Sequence, residues 1–211
     1  MRTFFLILGS AVLAGCSVPT GADRVALGKN DLESAPLCCK SLASAGVTKL
    51  PREKTTIALD KTSPAFEFDG KKAFFRLYEL PEFTQPYSVT VTSMPSGIVS
   101  DLAVLLPRLS FYDADFSPTR HFDDKTLRNR GNSVERTVFI NSRNADEKYV
   151  AIYGSDISTA VEKTYSMMTV TPVAVGAVMI NYHTGEDGRS TLRSSPVGIL
   201  EIEVKGLSVS H

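Results

Sequence analysis

The stretch Tyr87-Ser88-Val89-Thr90-Val91-Thr92 alternates without a break, with Tyr87, Val89 and Val91 on one side and hydroxyl side chains on the other. A period of two makes this a β-strand with one face buried and one face wet, and it excludes a helix there. The last apolar run repeats the pattern, with Leu200, Ile202 and Val204 facing inward and Glu201, Glu203 and Lys205 outward. Further strand-like runs cover residues 56–59, 66–68, 73–80, 102–106, 109–112, 134–140, 149–153, 169–171 and 173–182. Roughly nine or ten strands separated by turn signals predict an all-β fold, an antiparallel β-sandwich with a short N-terminal helix.

Local chemistry sets the joints between these runs. Asp69-Gly70 is a turn signal between two apolar runs, with Lys71-Lys72 lengthening the loop beyond the tightest hairpin. Pro107 requires an edge position or a break between two strands. Gly185-Glu186-Asp187-Gly188 reads as a turn, and residues 155–165 as a short helix or loop. Pro36 can open the short helix and Gly46 can close it. No period of 20–50 residues repeats, which argues against a propeller or solenoid.

Composition narrows the partners. The 211 residues carry 23 basic and 23 acidic side chains, so there is no net basic field for nucleic acid. A hydrophobic content of 43% is ample for a core. The most apolar later stretch, residues 167–182, is broken by Pro172 and Gly176 and is too short to span a bilayer as a helix, so it reads as buried strand.

The N-terminus carries an export signal. Arg2 is followed by the apolar Phe4-Phe5-Leu6-Ile7-Leu8 run, and Leu13-Ala14-Gly15-Cys16 closes it with the pattern of a bacterial lipobox. Residues 1–15 are therefore expected to be a lipoprotein signal peptide. Cys16 would be the lipidation site, the first residue of the mature chain and the carrier of palmitate-type acyl chains. Three acyl chains on one cysteine exceed what stable anchoring requires. Ser17, where aspartate would favour the inner membrane, points to the outer membrane facing the periplasm. Residues 16–33, small and polar, read as a lipidated N-terminus and flexible tether, and residues 34–211 as the β-sandwich domain.

With Cys16 lipidated, Cys38 and Cys39 remain, adjacent to one another in an oxidising compartment. Neighbouring Cα atoms lie about 3.8 Å apart, below the usual disulfide minimum of about 4.4 Å, so a bond between them would be strained. The two readings are a vicinal or intermolecular disulfide, and a pair of small packed hydrophobes.

The chain shows no established catalytic pattern. His121, His183 and His211 have no zinc-ligand spacing, and neither a Gly-x-Ser-x-Gly elbow nor a phosphate loop occurs. No catalytic residue, metal site or cofactor is expected, and the chain reads as a non-enzyme. Asp113 with Asp115 reads as a turn that redirects the chain, and Glu201 with Glu203 as a solvated strand face. Tyr78, Tyr87, Tyr112, Tyr153 and Tyr182 could line a sugar groove or pack in the sheets, and the absence of Trp disfavours a dedicated carbohydrate module.

Several stretches resemble the maltose-operon periplasmic protein family. They are Cys38-Cys39-Lys40-Ser41-Leu42, the run from Ser63-Pro64-Ala65 to Phe74-Phe75, Leu80-Pro81, Leu109-Ser110-Phe111-Tyr112-Asp113, and Tyr149-Val150-Ala151-Ile152-Tyr153. The resemblance covers roughly residues 38–205. It implies a periplasmic or lipid-anchored accessory of maltose and maltodextrin (carbohydrate) transport, with weak or no direct maltodextrin contact and any transport effect arising through a membrane or a protein partner in the envelope. It supplies no catalytic residues. The alternative is an outer-membrane assembly or envelope-structure lipoprotein that binds another protein.

Overall fold

The computed structural model describes residues 18–155, 159–176 and 178–206. Cys16 and the signal segment lie outside the described residues, as does His211.

The protein is mostly β. Its largest sheet has six strands: β1 (Thr48–Lys49), β3 (Ala65–Phe68), β4 (Lys71–Glu79), β8 (Pro107–Tyr112), β9 (Pro118–Phe122) and β12 (Tyr149–Gly154). Its order is β1-β4-β12-β8-β9, with β3 also pairing β4. A five-stranded sheet runs β10 (Arg128–Arg130), β11 (Ser133–Ile140), β5 (Tyr87–Met94), β15 (Gly198–Lys205) and β2 (Thr55–Leu59). These two sheets pack face to face. Phe74, Leu109, Phe111 and Ile152 of the first meet Val89, Val91, Leu200 and Ile202 of the second, and all eight are fully buried. Each such side chain contributes about 1.5–3 kcal/mol of transfer free energy, the main favourable contribution holding the two sheets together.

The alternation at 87–92 survives intact: Tyr87, Val89 and Val91 face the core while Ser88, Thr90 and Thr92 are half-buried. Thr90 and Thr137 pair hydroxyls across β5 and β11 at 3.0 Å on the outer face. Arg136, only 2% exposed, donates to the carbonyls of Pro107 and Asp123 and to the Thr126 hydroxyl, tying the 123–126 loop to the sandwich. Burial lowers its pKa, because desolvation penalises the charged form.

A four-stranded sheet completes the molecule: β13 (Ala160–Val175), β14 (Val178–Ser195), β7 (Asp101–Leu105) and β6 (Ser96–Ile98). Pro107 does mark a break, because β7 and β8 belong to different sheets.

Three local expectations are corrected. Residues 21–33, read as part of the flexible tether, belong to helix α1 (Gly21–Ser34) packed on the domain. Thr20 and Asp23 form a reciprocal capping box, Asp23 N–H to Thr20 Oγ1 at 3.2 Å and Thr20 N–H to the Asp23 carboxylate at 2.9 Å. The small residues that suggested a tether are what let the helix seat: a Cβ on Gly21 would stand 2.5 Å from the Leu102 carbonyl carbon. The helix expected over 36–46 shrinks to a single 3-10 turn, Leu42–Ser44, and the short N-terminal helix is α1 instead.

The second correction is the β3–β4 turn, which is the tight two-residue form after all. Phe68 pairs with Lys71, and Asp69 and Gly70 both take positive φ (50° and 75°). The third concerns residues 155–195. No turn falls at 185–188. Those residues lie inside β14, and the hairpin reverses beyond Val175 and Val178, where Gly176 takes φ 65°. Met168, Val170, Val173, Val178, Met179 and Ile180 are therefore exposed on a hairpin and not buried in a core.

Candidate functional site

The outer face of the six-stranded sheet carries a second apolar cluster, built from Phe68, Phe75, Leu77, Tyr112, Ala151 and Tyr153. Above it opens a cleft of about 540 Å³. Phe66 and Phe68 share one face of β3, with Phe68 buried against the sheet and Phe66 half-exposed at the cleft wall. The two rings meet edge to face at 5.2 Å. Phe68 stacks flat on Tyr153 at 3.9 Å, so an aromatic floor crosses from β3 to β12.

The opposite wall comes from the β8–β9 connection. Asp113 Oδ1 accepts from the N–H groups of Asp115 and Ser117 at 2.9 and 2.8 Å, the turn expected from its sequence. That turn forces Phe116 to φ 60° and lays its ring on Tyr149 at 4.3 Å. The end of the cleft is polar. The Ser110 hydroxyl lies 2.9 Å from His121 Nδ1 and 3.0 Å from the Tyr153 hydroxyl. Burial pushes the Tyr112 phenol up to about 12 and raises that of Tyr153, so both hydroxyls stay neutral and able to donate at any physiological pH.

Beneath this wall Arg120 clamps Glu147 with two hydrogen bonds, both 2.6 Å, and Thr119 adds a third at 3.0 Å. The Glu147 side chain is 1% exposed, so the pair is held in low dielectric and fixes β9 against the loop before β12. The guanidinium also lies over the Phe111 ring at 4.9 Å. The clamp holds β9, the strand that carries both Arg120 and His121.

Cys38 and Cys39 are joined as a vicinal disulfide. Cys38 N–H donates to the Ala65 carbonyl at 2.9 Å, which docks the segment alongside β3. Cys38 is exposed and Cys39 half-buried. A groove of about 620 Å³ runs past the pair and shares Lys40, Phe66 and Glu67 with the main cleft. The two form one aromatic-walled surface from the disulfide to His121.

Of the five tyrosines considered from sequence, Tyr112 and Tyr153 reach the cleft, Tyr78 and Tyr87 lie in the main core, and Tyr182 is exposed on β14. The shared face of Phe66 and Phe68 was readable. The Ser110–His121–Tyr153 trio and the Arg120–Glu147 clamp were not, since they join residues from separate strands. Comparison with known protein families, characterised proteins and solved structures found no match.

Chemically, the cleft offers half-exposed ring faces beside neutral hydroxyls, an imidazole and a lysine. Ser110 and His121 have the elements of a nucleophile and its base. Among the described residues, however, no carboxylate hydrogen-bonds His121, and the hydroxyl is shared with Tyr153. Among the described residues there is also no group of three or more His, Cys, Asp or Glu that could hold a metal ion. Asp124 pairs with Arg108 at 2.7 Å and accepts from Ser155. No helix among the described residues is long and apolar enough to cross a membrane.

Proposed function

We propose that this protein is a lipid-anchored, periplasm-facing and non-catalytic accessory in maltodextrin uptake, an antiparallel β-sandwich that offers a carbohydrate chain a weak contact site in the cleft beside Phe66. The observation that supports this is the convergence of Phe66, Phe116 and the Ser110–His121–Tyr153 hydroxyl network on one concave surface. Sugar rings pair an apolar face with an equatorial ring of hydroxyls, and this cleft offers aromatic faces flanked by neutral donors and acceptors. The anchor rests on the Leu13-Ala14-Gly15-Cys16 lipobox, and the link to maltodextrins on the sequence resemblance.

Metabolic labelling with palmitate and membrane fractionation test the anchor. Wild-type protein should be labelled and membrane-bound. Amide shift mapping of the isotope-labelled protein with maltoheptaose tests the cleft. Shifts confined to residues around Phe66, Phe116 and His121 are expected, and a spectrum unchanged at millimolar sugar would refute the carbohydrate role.

A further inference from the structure

The β13–β14 hairpin is the least explained part of the molecule. Its strands pair from Ala160–Arg193 to Val175–Val178, but only Thr191–Ser195 of β14 have another neighbour, the parallel β7. Near the base Lys163 Nζ still donates to the Gly131 carbonyl and Ser190 is buried, but beyond them, from residue 166 to residue 187, the described part is an exposed two-stranded ribbon. Residues 164–185 contain no Asp, Glu, Lys or Arg, while Glu162, Lys163, Asp187 and Arg189 stand at its base.

Both faces of the uncharged part are apolar and exposed. Val173 sits opposite Ile180 and beside Val178 on one face, and Met168, Val170 and Met179 occupy the other. Ile180 is 51% exposed and Met179 64%. A flap that closes over its own domain needs only one apolar face. Two present an apolar surface that folding back onto the domain would cover on one side only, which points to a contact outside the domain. Pro172 sits opposite Asn181. It is three pairs from the reversal, where the ladder alternation turns its nitrogen outward, so the outer edge of β13 lacks a donor. This is a device that discourages another chain from adding a strand there.

The direction in which the chain enters identifies the surroundings. Ala22 N–H donates to the Asp101 carboxylate at 3.1 Å, and Asp101 pairs with Thr191. Gly28, further along α1, lies against Val197. Helix α1 thus runs alongside β14 in the same sense, and the chain before Gly21 leaves the domain at the end from which the hairpin projects. From Cys16 to Gly21 the chain reaches at most about 17 Å. The hairpin reaches roughly 40 Å from Ser190 to Val178. A domain held by lipid on Cys16 therefore brings the hairpin against the bilayer before its tether is taut.

We propose that the uncharged end of the β13–β14 hairpin is a second membrane contact, lying in the headgroup–acyl boundary of the lipid bilayer that holds the anchor. The unpaired backbone edges of a two-stranded ribbon forbid a spanning position, so it rests at interfacial depth, where water still reaches them. Exposed Tyr182, further from the tip, suits the interface in the same way. The inference rests on the lipid-anchor part of the proposed function.

The chain contains no Trp, so Ile180→Trp makes a unique reporter and Phe139→Trp, 67% exposed on the body of the sandwich, a matched control. Full-length protein is placed in vesicles of phosphatidylethanolamine and phosphatidylglycerol, and emission and quenching by brominated lipid are read. Ile180→Trp should shift to shorter wavelength and be quenched, with Phe139→Trp unchanged. If Ile180→Trp stays at its aqueous emission in palmitate-labelled, vesicle-bound protein, the hairpin contact is overturned while the anchor stands. If the protein is unlabelled yet Ile180→Trp shifts when vesicles are added, the anchor fails and the hairpin contact holds. A shift already complete without lipid means that a protein surface covers the hairpin, and that too overturns the proposal.

Discussion

Phe68 and Tyr153 lie flat against each other, ring centroids 3.9 Å apart and planes 7° from parallel. The stack joins β3 to β12 across the intervening β4 and forms the floor of the cleft. The Tyr153 hydroxyl then reaches Ser110 at 3.0 Å, so one residue supplies both floor and polar end. Tyr153→Phe keeps the stack and loses that hydrogen bond. It should cost about 1 kcal/mol in denaturant unfolding. Tyr153→Ala also leaves a cavity and should cost about 3–5 kcal/mol. Equal costs for the two would contradict the separate roles.

The Arg120–Glu147 clamp predicts a contrast between buried and exposed charge. Arg120→Ala strands a carboxylate whose side chain is 1% exposed and should destabilise the protein by about 3–5 kcal/mol. Lys54→Ala breaks a pair with Glu201 in which the lysine side chain is 57% exposed, and should leave stability nearly unchanged. Paired urea titrations make the comparison.

Alkaline pH should unfold the protein through its buried tyrosines. Burial raises both Tyr87 and Tyr112 from 10.0 to about 12. The unfolded chain ionises these phenols first, so their contribution is fully present below pH 10 and is lost as pH rises towards 12. Thermal midpoints measured across that window should fall steadily, and less steeply in Tyr87→Phe. A midpoint flat through this range would mean that neither phenol is held neutral by the fold.

The vicinal disulfide predicts that alkylation at lysis finds no free thiol at Cys38 or Cys39 until reductant is added, with the protein monomeric throughout. Two thiols modified without reductant would restore the packed-hydrophobe reading.

The β-rich character was legible in the chain where strands bury one face and wet the other. The alternation at 87–92 and 200–205 is a direct record of a core on one side and water on the other. Helix α1 was missed because Gly21 and Gly28 mimic linker composition, although Thr20 and Asp23 already spelled the cap. The hairpin was misread for a physical reason: apolar strand sequence signals an apolar environment, and that environment need not be the protein's own core. The cleft was legible only in fragments. Phe66 and Phe68 are neighbours in sequence, but Ser110 and Tyr153 meet across 43 positions, a distance that a local pattern does not encode.

Calorimetric titration of the detergent-solubilised protein with maltose through maltoheptaose tests the central claim most directly. The account predicts saturable binding of the longer sugars with a dissociation constant between about 0.1 and 1 mM, near −4 to −5.5 kcal/mol, and no detectable heat in Phe66→Ala. A flat wild-type titration, or binding that Phe66→Ala leaves intact, would contradict it.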